Sequence, residues 1–326
     1  MPWFHRRTAA ERVTPQQLSR RLKKLATLFD IHAIRAETLD GPAIQAYYRE
    51  CHEAYRKHHS PEGAAHMALN EGGRFDPDGF AEHLRRLAAR WSAPGVDSPR
   101  EVLEIGFGQG YNLAWLAPRH PQVRFTGVDL TPEHFELATR RMQDNQLANV
   151  QLQLADFHRL PFADASFDEV YAIEAFCYAR DTPAALAEIA RVLRPGGRFT
   201  LFDGYQPQPS HEMDPEGALA VELVARGTSL ERWQVPSELV RQAAGAGFEQ
   251  EALHWLNEQT LPNLKRLDRI VSAIIRWPWL AKKALARRAP QRSRNVLSGY
   301  LLYPTVAMGI LGYCEIVLKK THKATA

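Results

Sequence analysis

Leu103-Glu-Ile-Gly106-Phe-Gly108-Gln-Gly110 follows a short aliphatic run and precedes a helical pattern. Glycines at such a junction let the backbone turn sharply and approach a ligand closely. A loop at the carboxyl end of a first strand is where doubly wound sheets hold nucleotides. Downstream, Asp129 ends the second strand-like run, nineteen residues after Gly110. A carboxylate there can accept hydrogen bonds from both hydroxyls of a ribose. Asp156 ends the third run with Phe157 behind it. The acid can take the exocyclic amine of an adenine while the ring packs on its face. The dinucleotide spacing G-x-G-x-x-G would need a third glycine where Tyr111 stands. That departure, together with the acid Glu104 ahead of the loop, argues against a diphosphate and for the cationic end of a ligand.

Around this loop, strand-like runs alternate with helical ones. Glu101–Ile105, Val123–Leu130, Val150–Asp156, Phe167–Ala175 and Arg198–Asp203 are short and aliphatic or β-branched. Helical patterns fall between them at about 111–117, 132–146 and 181–194, the last ending at Arg194-Pro-Gly-Gly, a helix stop and turn. Such alternation predicts a parallel, doubly wound sheet. Gly247–Leu256 and Tyr313–Lys320 read as two more strands, and 257–305 between them is too long for a loop and reads as inserted helices. Before the sheet, Leu18, Leu22, Leu25 and Phe29 recur at helical spacing, further helices are expected near 42–58 and 77–91, and Ser92–Arg100 is turn-rich.

The chain has 326 residues, 45% hydrophobic and 24% charged, enough to bury a real core. Its 3 Cys are far apart, which excludes a disulfide scaffold and offers no metal-ligand spacing. No apolar run approaches the ~18 residues of a membrane span. The N-terminal stretch lacks a signal-peptide core, so a reduced, cytoplasmic setting is expected. The net charge of +4 is uneven: residues 1–29 sum to +6 and residues 265–296 to +9, leaving the rest at −11. These two basic segments are either solvated helix faces or surfaces for an anionic membrane, a nucleic acid or a phosphorylated ligand.

Taken together, Glu104-Ile-Gly106-Phe-Gly108-Gln-Gly110, Gly127-Val-Asp129-Leu130, Ala155-Asp156-Phe157, Leu160-Pro-Phe162 with Ser166-Phe-Asp168, and Val192-Leu-Arg-Pro-Gly-Gly197 resemble the class I S-adenosylmethionine-dependent methyltransferases. The resemblance covers roughly 101–204. It implies a Rossmann-like, doubly wound seven-stranded α/β sheet with an N-terminal helical lid and a helical insertion before the last strand. The corresponding division is 1–92 for the lid region, 93–256 for the core, 257–305 for a substrate-covering insertion and 306–326 for the last strand and tail. S-adenosylmethionine is the implied cofactor, held by Glu104, Gly106, Gly108, Gly110, Asp129, Leu130, Asp156, Phe157 and Glu174; no metal is expected.

A narrower resemblance lies in Tyr171-Ala-Ile-Glu174-Ala-Phe-Cys-Tyr178-Ala, which is similar to the fourth-strand motif of the sterol C-24 methyltransferases, with Tyr178 where that group has His. It implies C-methylation of an alkene in an isoprenoid, sterol-like or prenyl diphosphate acceptor. Methyl transfer to an alkene leaves a carbocation, which calls for aromatic faces and a base. Glu174 and Tyr178 are the candidates on the fourth strand; His58 and His66, in the lid region, are candidate bases. Trp255, Trp277, Trp279 and the aliphatic residues among them would cover a long apolar acceptor. Two other readings stand beside this one: O- or N-methylation of a small natural product, and a non-catalytic cofactor-binding protein on a membrane or nucleic acid. Nucleic acid is disfavoured, because no RNA-binding module is recognisable. Peripheral contact with an anionic membrane and homo-oligomerisation are open.

Overall fold

The computed structural model describes residues 13–39, 41–93 and 98–321. The basic residues Arg6, Arg7 and Arg12, part of the turn-rich linker and the last five residues of the tail lie outside them. Seven strands form one sheet: β1 (Glu101–Ile105), β2 (Arg124–Asp129), β3 (Val150–Leu154), β4 (Phe167–Ile173), β5 (Leu193–Tyr205), β6 (Phe248–Trp255) and β7 (Gly312–Lys320), in the order β3-β2-β1-β4-β5-β7-β6. The extended run therefore begins at Leu193, so Arg194-Pro-Gly-Gly, expected as a turn, is already part of β5.

Among the described residues four α-helices precede the sheet, α1 (Pro15–Ala26), α2 (Ile31–Ala36), α3 (Gly41–His58) and α4 (Glu82–Trp91), with a 3-10 turn over Pro77–Ala81 leading into α4. Within the sheet come α5 (Tyr111–Leu116), α6 (Pro132–Asp144), α7 (Thr182–Val192), α8 (Pro215–Gly227) and α9 (Pro236–Gly245). The insertion consists of α10 (Asn257–Ile274), α11 (Pro278–Leu285) and α12 (Pro290–Ala307).

The expectation of a parallel sheet needs one correction. β1 to β5 pair in parallel, but β7 runs antiparallel to both β5 and β6. The reason lies in the insertion. It leaves β6 beside Trp255 and returns at Gly312, and Trp255 pairs with Cys314. The excursion thus starts and finishes at one edge of the sheet, so the next strand has to run back. Leu256 N–H donates to Tyr313 O at 2.7 Å and Tyr313 N–H to Asn257 Oδ1 at 2.8 Å, which pins that re-entry.

The central strands are buried on both faces, while the edge strands β3 and β6 are partly exposed. Leu103, Ile105, Val170 and Phe199 join the core under α7 and α9, while Val102, Phe125, Tyr171 and Phe202 face α4 and α5. A third cluster sits outside the sheet, where Leu18, Leu22 and Leu25 of α1 meet Val221, Val224, Leu297 and Leu301 of α8 and α12. Burying each such side chain stabilises the fold by ~1.5–3 kcal/mol. Helix α1 starts at a reciprocal capping box: Thr14 Oγ1 accepts from Gln17 N–H, and Gln17 Oε1 accepts from Thr14 N–H. Arg21 of its basic face is not a free charge: it forms a bidentate pair with Asp268 of α10 and donates to Tyr300 O. Helix α4 is tied to the sheet by Glu315, which is 1% exposed and paired with both Arg86 and Arg90.

Sheet order reverses direction at β1, whose neighbours are β2 and β4. A crevice opens at such a switch point, beyond the carboxyl ends of the strands. Helices α3, α10 and α12 roof it.

Candidate active site

The crevice is a cavity of about 570 Å³, within the ~300–1,000 Å³ typical of small-molecule sites. Its floor is the glycine loop. Gly106, Gly108 and Gly110 all adopt left-handed backbone (φ 71°, 52° and 73°). A Cβ on Gly106 would stand 2.4 Å from the Cβ of Ala175, so the close approach of the β1 and β4 termini depends on its absence. Gly108 N–H donates to Asp129 Oδ2 at 2.9 Å, and Thr131 N–H to Asp129 Oδ1 at 2.8 Å. Asp129 thus fixes the loop while standing on the cavity wall, beside Leu130.

Asp156 and Phe157 form the next part of the wall. Asp156 Oδ1 accepts from His158 N–H at 2.9 Å, with His158 Nδ1 at 2.7 Å. Partial burial would raise the Asp156 carboxyl, but these partners bring it below its ordinary value. It therefore stays an acceptor. The Phe157 ring stacks on His158, 4.7 Å between centroids.

Glu174 closes β4 and lines the cavity in a left-handed conformation (φ 49°). For a residue with a side chain, such backbone costs on the order of 1–3 kcal/mol and tends to mark a functional position. Its Oε1 accepts from Met67 N–H at 2.6 Å. Burial, reinforced by the neighbouring Asp203, pushes its carboxyl up to about 8, against the Met67 bond that favours the ion. Asp203, at the end of β5, accepts from Cys177 N–H at 2.9 Å, and burial pushes it up to about 7. A sheltered, aromatic cavity thus carries two carboxyls that ionise near neutrality and that a cation would draw into the charged form.

Glu104 is not on the cavity wall. It lies beneath it on β1, and Oε1 accepts from Asn112 Nδ2 at 2.6 Å. Burial pushes it up to about 8. Its other neighbour is the buried Tyr171 hydroxyl, which favours the ion. Asn112, which does line the cavity, links it to the lid: Asn112 Oδ1 lies 3.0 Å from His66 Nε2.

Tyr178 is on the wall, with its hydroxyl donating to Thr228 O at 2.9 Å and its ring 5.9 Å from that of Tyr48. His66 is there too, buried between Asn112 and Met67 O, and burial lowers its basicity. His58 is the misfit. The end of α3 places it on the exposed side, where its backbone carbonyl accepts from Arg266, and it does not line the cavity. The helical period decides this: Tyr47, Tyr48, His52 and Tyr55 take the inward face of α3. His59 turns inward but is spent on His66 O at 2.8 Å, and burial takes it down to about 4.

Several wall residues carry no motif. Asp203, Trp233, His134 and Tyr313 come from the last part of β5, a loop, the first turn of α6 and the start of β7, whose convergence only folding reveals. The one usable signal was an acid at a strand terminus, as at Asp203. Tyr313, next to Glu174 and 3.0 Å from His83 Nε2, had none. Among the described residues no group of three or more His, Cys, Asp or Glu could hold a metal ion.

These residues fit S-adenosylmethionine: a loop stripped of Cβ atoms, an acid at Asp129 for a ribose, Asp156 with Phe157 for an adenine, and acids for a cationic end. Residues 103–201 match the family pattern described as a methyltransferase domain. The chain is 30% identical over 205 residues to the fatty-acid O-methyltransferase of Mycolicibacterium smegmatis, covering 63% of this chain and 66% of that protein. Against the first few curated relatives it spans about half their length, 46% to 50%. Among solved structures, the cyclopropane synthase MmaA2 of Mycobacterium tuberculosis superposes with a TM-score of 0.70 at 16% identity, covering 85% of this chain and 97% of that one. The geranyl diphosphate C-methyltransferase of Streptomyces coelicolor gives 0.59 at 14% identity, covering 91% and 97%. Both share this fold.

Proposed function

We propose that this chain, built on a class I S-adenosylmethionine-dependent methyltransferase domain, C-methylates an alkene carbon of a long apolar, isoprenoid- or sterol-like acceptor. When bound, the cofactor supplies an electrophilic methyl group on a cationic sulfur. The protein's contribution is alignment and exclusion of water. Gly106, Gly108, Gly110, Asp129, Leu130, Asp156 and Phe157 would hold the nucleoside, with Glu104 and Asn112 below the loop.

The observation that carries the reading is Glu174: a carboxyl in strained backbone, ionising near 8, set beside Tyr313 in a cavity that Tyr48 and Tyr178 also line. An alkene that gains a methyl becomes a carbocation. Aromatic faces stabilise such a cation. Positive charge in the cavity favours ionised Glu174, which then takes a proton from the carbon beside the cationic centre. The electron pair of that C–H bond restores the alkene, and Glu174 ends protonated. Arg180 is the sole Lys or Arg on the cavity wall among the described residues. A diphosphate would find no cluster of cations there, so the acceptor is apolar along its length.

O-methylation is the second reading, favoured by the resemblance to the fatty-acid O-methyltransferase over most of the chain. Radiolabelled S-adenosylmethionine offered with sterols, squalene-like hydrocarbons, prenyl diphosphates, fatty acids, phenols and amines separates the two. Label in a sterol or hydrocarbon is the expected result. Label confined to fatty acids, phenols or amines overturns it.

A further inference from the structure

We infer that the helical insertion carries a docking surface for an anionic lipid bilayer, centred on α11. No helix among the described residues is long and apolar enough to cross a membrane, so this is a surface contact.

Trp277, Trp279 and Leu280 are 57%, 69% and 45% exposed at the start of α11. Ala281 and Leu285 of the same helix are buried against the α1–α8–α12 cluster, so the outward face is fixed. Two exposed indoles and a leucine on one turn form an apolar tip, with Arg276 lying over the Trp277 ring. Around it, Arg276, Lys282, Lys283 and Arg287 are exposed, and none has a carboxylate partner among the described residues. From Arg269 to Cys314 the chain has no Asp or Glu, while eight Lys or Arg fall between 269 and 294. The positive face extends to the end of α3: beyond its own partial burial, His58 is held below its ordinary basicity by Lys57, Arg292, Arg288 and Arg266.

Indoles favour the boundary between headgroups and acyl chains, and Lys and Arg favour an anionic leaflet. Both features share one corner here. A polyanion alone would use the charges but leave the apolar tip unexplained. On either side of α11, helices α10 and α12 give Thr260, Leu264, Leu302 and Val306 to the cavity wall. One insertion thus covers the cavity and presents the lipid-facing corner, a route for an apolar acceptor out of the bilayer. The docking itself does not depend on the methyl-transfer reading.

The test is flotation of the full chain with vesicles of phosphatidylcholine alone or mixed with phosphatidylglycerol, scored without any activity assay. The chain is expected to float with the anionic vesicles and to be released by salt. Trp277→Ser, Trp279→Ser and Leu280→Ser together should abolish flotation while leaving the melting curve unchanged. Arg276→Gln, Lys282→Gln and Lys283→Gln together should weaken partitioning roughly 100-fold, taking a factor of about five for each basic residue near an anionic surface. Three results would each overturn the inference: no flotation with anionic vesicles, flotation indifferent to the Trp and Leu changes, or a dimer in sedimentation velocity that Trp279→Ser dissolves. Retention of single-stranded DNA that depends equally on the two indoles would reassign the surface to nucleic acid.

Discussion

Glu174 Oε1 accepts the backbone N–H of Met67 at 2.6 Å. The bond joins residues far apart in the chain, one at the end of β4 and one in the segment that follows α3. It closes that segment over the cavity, which Gly63, Ala64, Ala65, His66 and Met67 all line. A second tie, from His66 to Asn112, runs alongside it. The group proposed to take the proton is therefore also a latch for the lid, and the two roles can be separated.

Glu174→Gln keeps a carbonyl oxygen for the Met67 N–H but removes the base. Calorimetry should find S-adenosylmethionine affinity close to the parent's, while single-turnover methyl transfer falls by roughly 10²–10⁴-fold, the usual worth of a general base. Glu174→Ala removes both roles and should also weaken cofactor binding. Equal loss of affinity in the two variants would assign Glu174 to holding the cofactor and leave the base elsewhere.

Gly106→Ala should lose cofactor affinity by at least roughly tenfold, because an alanine there must adopt left-handed backbone at ~1–2 kcal/mol and its Cβ would meet Ala175 at 2.4 Å. Asp129→Asn should cost a comparable factor, since a hydrogen bond to a charged group is worth ~1.5–3 kcal/mol. Equilibrium dialysis with labelled cofactor checks both. Unchanged binding in Asp129→Asn would mean that the acid only braces Gly108 and Thr131.

The pH dependence of stability follows from the buried acids. Glu104 and Glu174 are pushed up to about 8, and Glu169 and Asp203 to about 7. Each keeps a proton that the unfolded chain, with ordinary carboxyl values near 4, has already released. Their contribution is complete below about pH 4 and is lost progressively as pH rises from there through the folded values of about 7 to 8. His59, lowered from 6.5 to about 4, acts oppositely, with stability lost as pH falls below 6.5. Melting temperatures of the cofactor-free protein should therefore decline from pH 6.5 to 8, and Glu174→Gln should make that slope shallower. A flat profile over this range would show that the acids are already ionised.

Glu315→Ala removes the carboxylate that Arg86 and Arg90 share and leaves Arg90 only its bond to Thr200 Oγ1. The arginines left behind are 28% and 19% exposed, so the loss is that of hydrogen bonds to a charged group, ~1.5–3 kcal/mol, and urea unfolding should shift by about that amount. Glu315, Arg86 and Arg90 do not line the cavity, and cofactor affinity measured below the new midpoint should not change.

Much of the fold is legible because local chemistry dictates it. Aliphatic runs bounded by Gly, Pro and Asp allow little but buried strands, and three glycines after the first of them allow little but a ligand-binding turn. That is why the strand positions and the placing of Gly106, Gly108, Asp129, Asp156 and Phe157 at one crevice follow from the residues in order, whereas Gly110 does not line the cavity and instead packs against Ala138 and Met142 of α6. The direction of β7 does not follow, because a strand's sequence is the same read with or against its neighbours. Its direction depends on which edge the α10–α12 excursion comes back to.

The histidines show the same limit. His58, His59 and His66 are close in sequence and chemically alike, yet one faces solvent, one is bonded to a carbonyl and one lines the cavity. A single step along α3 turns a side chain by about 100°, so placement there rests on how the helix seats against the cavity, which no local pattern encodes. By itself the sequence determined the strand–helix alternation, the glycine loop after the first strand and the acids at strand ends, since backbone preference and hydrophobic period are local properties. Only the tertiary structure decided that Asp203 and Tyr313 join Glu174, that Glu104 lies beneath the wall, and that Glu174 ionises near 8. Convergence and desolvation arise between segments distant in the chain and exist only once those segments have packed.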